Sequence, residues 1–456
     1  MALIAPFKGL RYNLHKIERL EDVVSPPYDV IDEDAQASLH KKNPYNMIQL
    51  DLSKQSSHEG GDVARYEQAR RTFIQWQQEG VLVQDTEPSL YLYYIEYTHP
   101  SGRRLTRKGL VTLVQLAEFE EGIVKPHERT FGQVTSDRLR LLDTCQAQFS
   151  QIFSLYSDQH GEIIAGLEAV RLPEPLYSVT DQDGCRHSLW PVKDPSVLAR
   201  VQAMFRDKPL YIADGHHRYT TALQFRELMR ERQGEIASDS PFNFTMMYLC
   251  PMEDPGLSVL PTHRLVNVPY GASADELAHK MSSSFTVEEV TGGAREVLLA
   301  EVLARMDEQG AETTSFGLYH PAEDRCFLLT LRDGVLAGTP AADNPQALQR
   351  LDVVILSDLV LGHILGLDHK QCEAEDLVDY FSDPDEAIDV AVKAIENGEK
   401  ATPVIFLMNS TPVKQVQEVA DQGLVMPHKS TFFYPKILTG LLINKIDASE
   451  NVAVEL

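Results

Sequence analysis

The sequence predicts a mixed α/β (α+β) protein of two or three domains, on three observations. Strand-forming runs alternate with helical apolar stripes, the segments joining them are short, and no long repeat or heptad pattern is present. With 456 residues, 43% of them hydrophobic, the chain is long enough to bury more than one core.

The elements follow in order. Residues 25–31, Ser-Pro-Pro-Tyr-Asp-Val-Ile, are expected to run stiff and extended, fixing the directions of Tyr28 and Asp29, before an acidic helix start at Asp32. Residues 62–79 put Val63, Tyr66, Phe73 and Trp76 on one helical face. Residues 89–97 are strand formers, and Pro100-Ser101-Gly102 turns the chain into a return strand through Leu113. The Arg103, Arg104, Arg107 and Lys108 of that hairpin are expected on its solvated face. Residues 136–142 read as a capped helix.

A turn-rich stretch at 171–195 sets a boundary near residue 170, and a helix at 195–205 leads into an apolar strand from Leu210. Residues 244–250 form a strand, and 273–284, 294–309, 346–366 and 384–397 are helical. A strand covers 404–408, after which Thr411 caps a helix with Pro412 at its first position. The expected regions are 1–170, 171–290 and 291–456.

Composition narrows the function. A net charge of −25 opposes a nucleic-acid scaffold, which needs a broad basic field. No apolar run is long enough for a membrane span, and Pro6 and Gly9 interrupt the N-terminus too soon for a signal peptide, so a cytoplasmic protein is expected. Five scattered cysteines form no CxxC pair and fit reduced thiols. His127, Glu128, His216, His217 and His263 lack HExxH or HxH spacing, and His363, His369 and Cys372 follow an apolar helix, so no resident metal is expected.

The most informative stretch is 210–224, where a short strand breaks at Asp214-Gly215 and restarts as a helix with His216, His217 and Arg218 in its first turn. First-turn amides carry partial positive charge, so this end is suited to an anion. Asp214 is expected to be the N-cap, and Gly215 to let a ligand approach the backbone. Lys125-Pro126-His127-Glu128-Arg129-Thr130 and Pro261-Thr262-His263-Arg264 add histidines and cations. Residues 423–436 contribute Lys429, Ser430, Thr431 and Lys436, but lack the glycine spacing of a Walker A loop.

The motifs at 26–31 (PPYDVI), 127–130 (HERT), 137–139 (DRL), 213–219 (ADGHHRY), 261–265 (PTHRL) and 426–436 (MPHKST with PK) together resemble a widespread prokaryotic family. It is the domain-of-unknown-function family numbered one thousand and fifteen, and the resemblance covers nearly the whole chain. More distantly, the strand and Asp214-Gly215-His216-His217-Arg218 resemble the ParB/sulfiredoxin superfamily. This implies a nucleotide-binding core from about Tyr177 to Arg232, embedded in a larger multi-domain chain. A histidine stands where sulfiredoxins carry their catalytic cysteine, and the helices with which partition proteins bind DNA are not apparent.

Similarity to the free-serine kinases of that superfamily implies an ATP- or ADP-dependent, Mg2+-assisted phosphotransferase. It would act on a small hydroxylated metabolite, with serine or phosphoserine leading. Under that resemblance Asp214, Gly215, His216, His217 and Arg218 would hold nucleotide phosphates, and Glu128 or Asp29 would take the hydroxyl proton, with His127 and His217 beside them. Arg129, Thr130, His263, Arg264, Lys429, Ser430, Thr431 and Lys436 would complete the anion site. A nucleotide-controlled switch without an acceptor and a metal-dependent hydrolase using the His/Glu set stay open. Oligomeric state is not legible.

Overall fold

The computed structural model describes residues 2–53, 61–130, 132–310, 313–368, 371–372 and 375–454; His369 lies outside them. The chain divides into two compact units. The first comprises Met1–Pro126, Thr130–Ser258 and Phe433–Leu456, and the second His127–Arg129 and Val259–Phe432.

The first unit is built on a mixed nine-stranded sheet. In spatial order its strands are Val124–Lys125, Leu210–Asp214, Ile152–Tyr156, Phe244–Pro251, Arg104–Gln115, Leu90–Thr98, Arg186–Val192 and Tyr177–Thr180, with Ile4–Ala5 paired to Arg104–Gln115. The expected hairpin is present, in register from Tyr91 opposite Val111 to Thr98 opposite Arg104. The strand Leu210–Asp214 runs parallel to Val124–Lys125 and antiparallel to Ile152–Tyr156. Its buried Leu210 and Ile212 join Tyr219, Ala222 and Leu223 of the following helix in one core, which anchors the strand-to-helix turn. The helix Pro195–Phe205 starts at Asp194, whose side chain accepts from the amides of Ser196 and Val197.

Three expectations are corrected in this unit. Tyr28–Val30 forms a short 3-10 turn rather than an extended run, and Asp32 then caps the next helix by accepting from the Ala35 amide at 2.7 Å. In the helix Gly61–Gln78, Tyr66, Phe73 and Trp76 are buried, whereas Val63 in the first turn is exposed. Arg107 is not on a solvated face but fully buried. Its guanidinium lies over the rings of Phe153 (4.7 Å) and Tyr248 (5.5 Å) and donates to the carbonyls of Tyr434 (3.1 Å) and Pro435 (2.8 Å). Carbonyl oxygens and ring faces replace the lost hydration of that cation.

The second unit holds an antiparallel six-stranded sheet in the order Phe285–Val290, Arg325–Leu331, Ser315–His320, Thr402–Leu407, His263–Val268 and Val378–Phe381. The helices Ala274–Met281, Arg295–Gln309, Pro384–Glu396 and Val413–Asp421 match expectation closely. The helix expected over 346–366 is broken into Gln346–Gln349, Asp352–Val354 and a π-helical Ile355–Ile364, with Leu351 extended at the break. Thr411 does not cap. Its hydroxyl donates to the Ser430 carbonyl at 2.8 Å, and Pro412 takes the N-cap position.

The two sheets draw strands from both sides of residues 170 and 290, so the compact units are not three consecutive regions. Among the described residues no helix is long and apolar enough to cross a membrane.

Candidate functional site

The turn after Leu210–Asp214 is made by Gly215, whose backbone is left-handed (φ 96°, ψ 31°) and which is itself the N-cap of the helix His216–Gln233. Having no side chain, Gly215 offers the first-turn amides no capping bond, and Asp214 does not reach them either. Its two oxygens face cations instead: Oδ2 accepts from Arg218 Nη2, and Oδ1 from Lys436 Nζ at 2.7 Å. Charge-assisted pairing with two half-buried cations is worth more to this carboxylate than an N-cap bond. Burial pushes the Asp214 carboxyl up, but Lys436 and then Arg218 outweigh it and hold the group well below the ordinary carboxylate range.

The Arg218 guanidinium folds back over the glycine. A Cβ at position 215 would lie 2.8 Å from its Nε, 3.0 Å from Cζ and 3.1 Å from Nη2. The space expected to admit a ligand over Gly215 is therefore filled by Arg218. The same guanidinium donates to the Gln151 carbonyl and stands 3.9 Å from the Asp29 carboxylate. Burial lowers the Arg218 pKa, yet Asp214, Asp29, Tyr28 and Asp51 raise it overall, so it stays a cation. His216 is buried and His217 half-buried on the first turn. The Thr130 hydroxyl lies 3.5 Å from that of Thr220.

Behind this turn a pocket opens, lined by Tyr28, Asp51, Arg138, Arg218 and Thr221 among others, with about 470 Å3 of empty space open to solvent. Arg138 donates from Nη1 to Asp51 Oδ1 (3.1 Å), from Nε and Nη2 to Asp137 Oδ2 (2.8 and 2.6 Å), and stacks 4.3 Å over the Tyr28 ring. Asp137 in turn accepts from the Tyr66 hydroxyl (2.6 Å) and from Arg65.

The second unit gathers the other motifs. Met426 donates its amide to the His127 carbonyl (2.8 Å), and His127 Nε2 lies 3.0 Å from the Thr431 hydroxyl. Arg264 donates to the carbonyls of Thr262 and Lys429 (3.0 Å for the latter) and stacks 4.9 Å over Tyr380. Burial lowers the Arg264 pKa to about 10, against upward pulls from Tyr380 and Glu128. Ser430 donates its hydroxyl to the Pro427 carbonyl at 2.6 Å, so it shapes the loop. Arg129 is exposed. His263 accepts the Met408 amide at 3.0 Å on Nδ1, and burial, then Arg264, lowers its pKa to about 4. It is a neutral bracket between neighbouring strands.

Within the first unit, then, Asp29, Asp214, Gly215, Arg218 and Lys436 stand together, and within the second His127, Glu128, Arg264, Lys429 and Thr431 do. Asp51, Gln151 and Thr221 escaped sequence reasoning. Asp51 ends a one-turn helix, Ile48–Asp51, in an otherwise apolar stretch and carries no motif signal. Among the described residues no three His, Cys, Asp or Glu side chains are grouped so as to hold a metal ion.

No curated protein sequence matches the chain. Solved structures that align with it include a conserved hypothetical protein from Pyrococcus furiosus, 14% identical over 71% of this chain and 94% of that one (TM-score 0.32). A free serine kinase in complex with AMP is 13% identical over 71% and 90% (0.32). SbnI with a C-terminal truncation, from Staphylococcus aureus, is 10% identical over 72% and 85% (0.33). The family described as protein of unknown function (DUF1015) matches residues 4–354. That stretch holds all but the last of the motifs that carried the resemblance, and the chain belongs to this family.

Proposed function

We propose that the chain is a nucleotide-dependent phosphotransferase acting on a small hydroxylated metabolite, with serine or phosphoserine as the leading substrate. The observation that carries the reading is the turn at Asp214–Arg218. An eighteen-residue helix begins there with no cap from Gly215 or Asp214, beside two histidines and the cations Arg218 and Lys436. First-turn amides and a helix dipole fit the phosphates of ATP or ADP. The serine assignment rests on the resemblance of this motif to the free-serine kinases.

In this reading the amides after Gly215, with His216, His217 and Arg218, bind phosphate oxygens. Lys436 and Arg218, both paired with Asp214, offset the negative charge that develops during transfer. Asp29, exposed and 3.9 Å from Arg218, would take the acceptor's hydroxyl proton or meet a magnesium ion carried by the nucleotide.

The test incubates the protein with magnesium, ATP or ADP, and a panel of serine, phosphoserine and sugars, followed by phosphorus NMR. Movement of phosphate to or from a small acceptor is expected. Nucleotide binding without any phosphorylated acceptor would replace the reading with a nucleotide-controlled switch, and no nucleotide binding at all would end it.

A further inference from the structure

We propose that the pocket behind the turn is a recognition site for a zwitterionic α-amino acid, with Asp51 holding the ammonium and Arg218 with Thr221 the carboxylate. The inference rests on the phosphotransferase reading for its purpose, and on three unpartnered polar atoms for its chemistry. Asp51 Oδ2, Arg218 Nε and Thr221 Oγ1 are buried without a hydrogen-bond partner, and all three residues line the pocket. Buried polar groups are almost always satisfied, by protein, water or a ligand, and three such residues around one pocket favour a ligand there. One atom only accepts, one only donates and one does either, so the ligand needs a donor at one end and an acceptor at the other.

Charge selects among such ligands. Arg138 is shared by Asp51 and Asp137, and Arg218 by Asp214 and Asp29, while Arg65 and Lys436 meet Asp137 and Asp214. Four cations thus face four carboxylates, which favours an occupant without net charge. Within that balance Asp51 is under-compensated: it is only 6% exposed, one oxygen meets Arg138, and burial pushes its carboxyl up despite Arg138 and Arg218. A cationic ammonium supplies what its second oxygen lacks.

The experiment titrates L-serine, glycerate, ethanolamine and glycerol into the nucleotide-free protein by calorimetry, in wild type, Asp51→Asn and Thr221→Val. L-serine is expected to bind, with glycerate (no ammonium), ethanolamine (no carboxylate) and glycerol each weaker by about tenfold or more. Asp51→Asn should weaken L-serine by about tenfold while leaving glycerate unchanged, and Thr221→Val should weaken L-serine by a smaller factor. Should Asp51→Asn fail to fold, Thr221→Val and the ligand panel still decide. Glycerate or glycerol binding as tightly as serine, no binding of serine, or wild-type affinity in Thr221→Val would overturn the proposal. Serine binding here with no phosphate transfer would remove the phosphotransferase reading alone. Transfer to serine with unchanged KM in both variants would remove the pocket alone.

Discussion

Replacing Gly215 by alanine separates backbone strain from loss of the Arg218 contact. The left-handed backbone alone costs an alanine about 1–2 kcal/mol. The new Cβ would also sit 2.8 Å from Arg218 Nε, closer than real Cβ contacts come, so the guanidinium must shift, which puts its bond to Asp214 at stake. A charge-assisted hydrogen bond of this kind contributes about 1.5–3 kcal/mol. Gly161 supplies the reference: it is a left-handed N-cap in the same unit (φ 65°, ψ 24°) with no atom within 4 Å of its Cβ position. Gly215→Ala should therefore destabilise the unit by about 1.5–3 kcal/mol more than Gly161→Ala. Both tryptophans of the chain, Trp76 and Trp190, are buried in this unit, so fluorescence-monitored guanidinium unfolding reads it. Equal losses in the two variants would refute the claim that the turn is built around Arg218.

The remaining predictions are shorter. His263 has its pKa lowered from 6.5 to about 4, so its contribution is complete above about pH 6.5 and falls away as pH drops toward 4, by about 3 kcal/mol. His263→Gln should flatten that part of the second unit's calorimetric pH profile, and an unchanged slope would count against the assignment. Arg107→Met strands the carbonyls of Tyr434 and Pro435 and should cost about 2–4 kcal/mol in the same fluorescence assay; a loss under about 1 kcal/mol would show that the segment bearing Lys436 is held by other contacts. His217→Ala should weaken ADP binding by about 1–3 kcal/mol and leave the unfolding midpoint in place. A shifted midpoint with intact ADP affinity would make the residue structural.

Where local patterning and tertiary packing agree, the sequence is legible. The hairpin at 90–115, the helix at 195–205 and the strand-to-helix break at Asp214-Gly215 were all readable, because a run of strand formers, a proline at a helix start and a turn glycine act on neighbouring residues. Errors fall where a distant group outbids a local one. Asp214 leaves the N-cap for Lys436, 222 residues away, Thr411 leaves its helix for Ser430, and Arg107 turns from solvent to two distant carbonyls.

By itself the sequence determined the family, the mixed α/β class and the Asp-Gly-His-His-Arg turn with its place at a helix start. Only the tertiary structure decided that Arg218 fills the space above Gly215, that Lys436 and Arg218 jointly hold Asp214 ionised, and that Asp51 and Thr221 leave unpartnered atoms beside them. Residues close in sequence interact through backbone geometry that composition records. The pairing of buried charges depends on which remote side chains are brought within a few ångströms, and only the folded chain sets those distances.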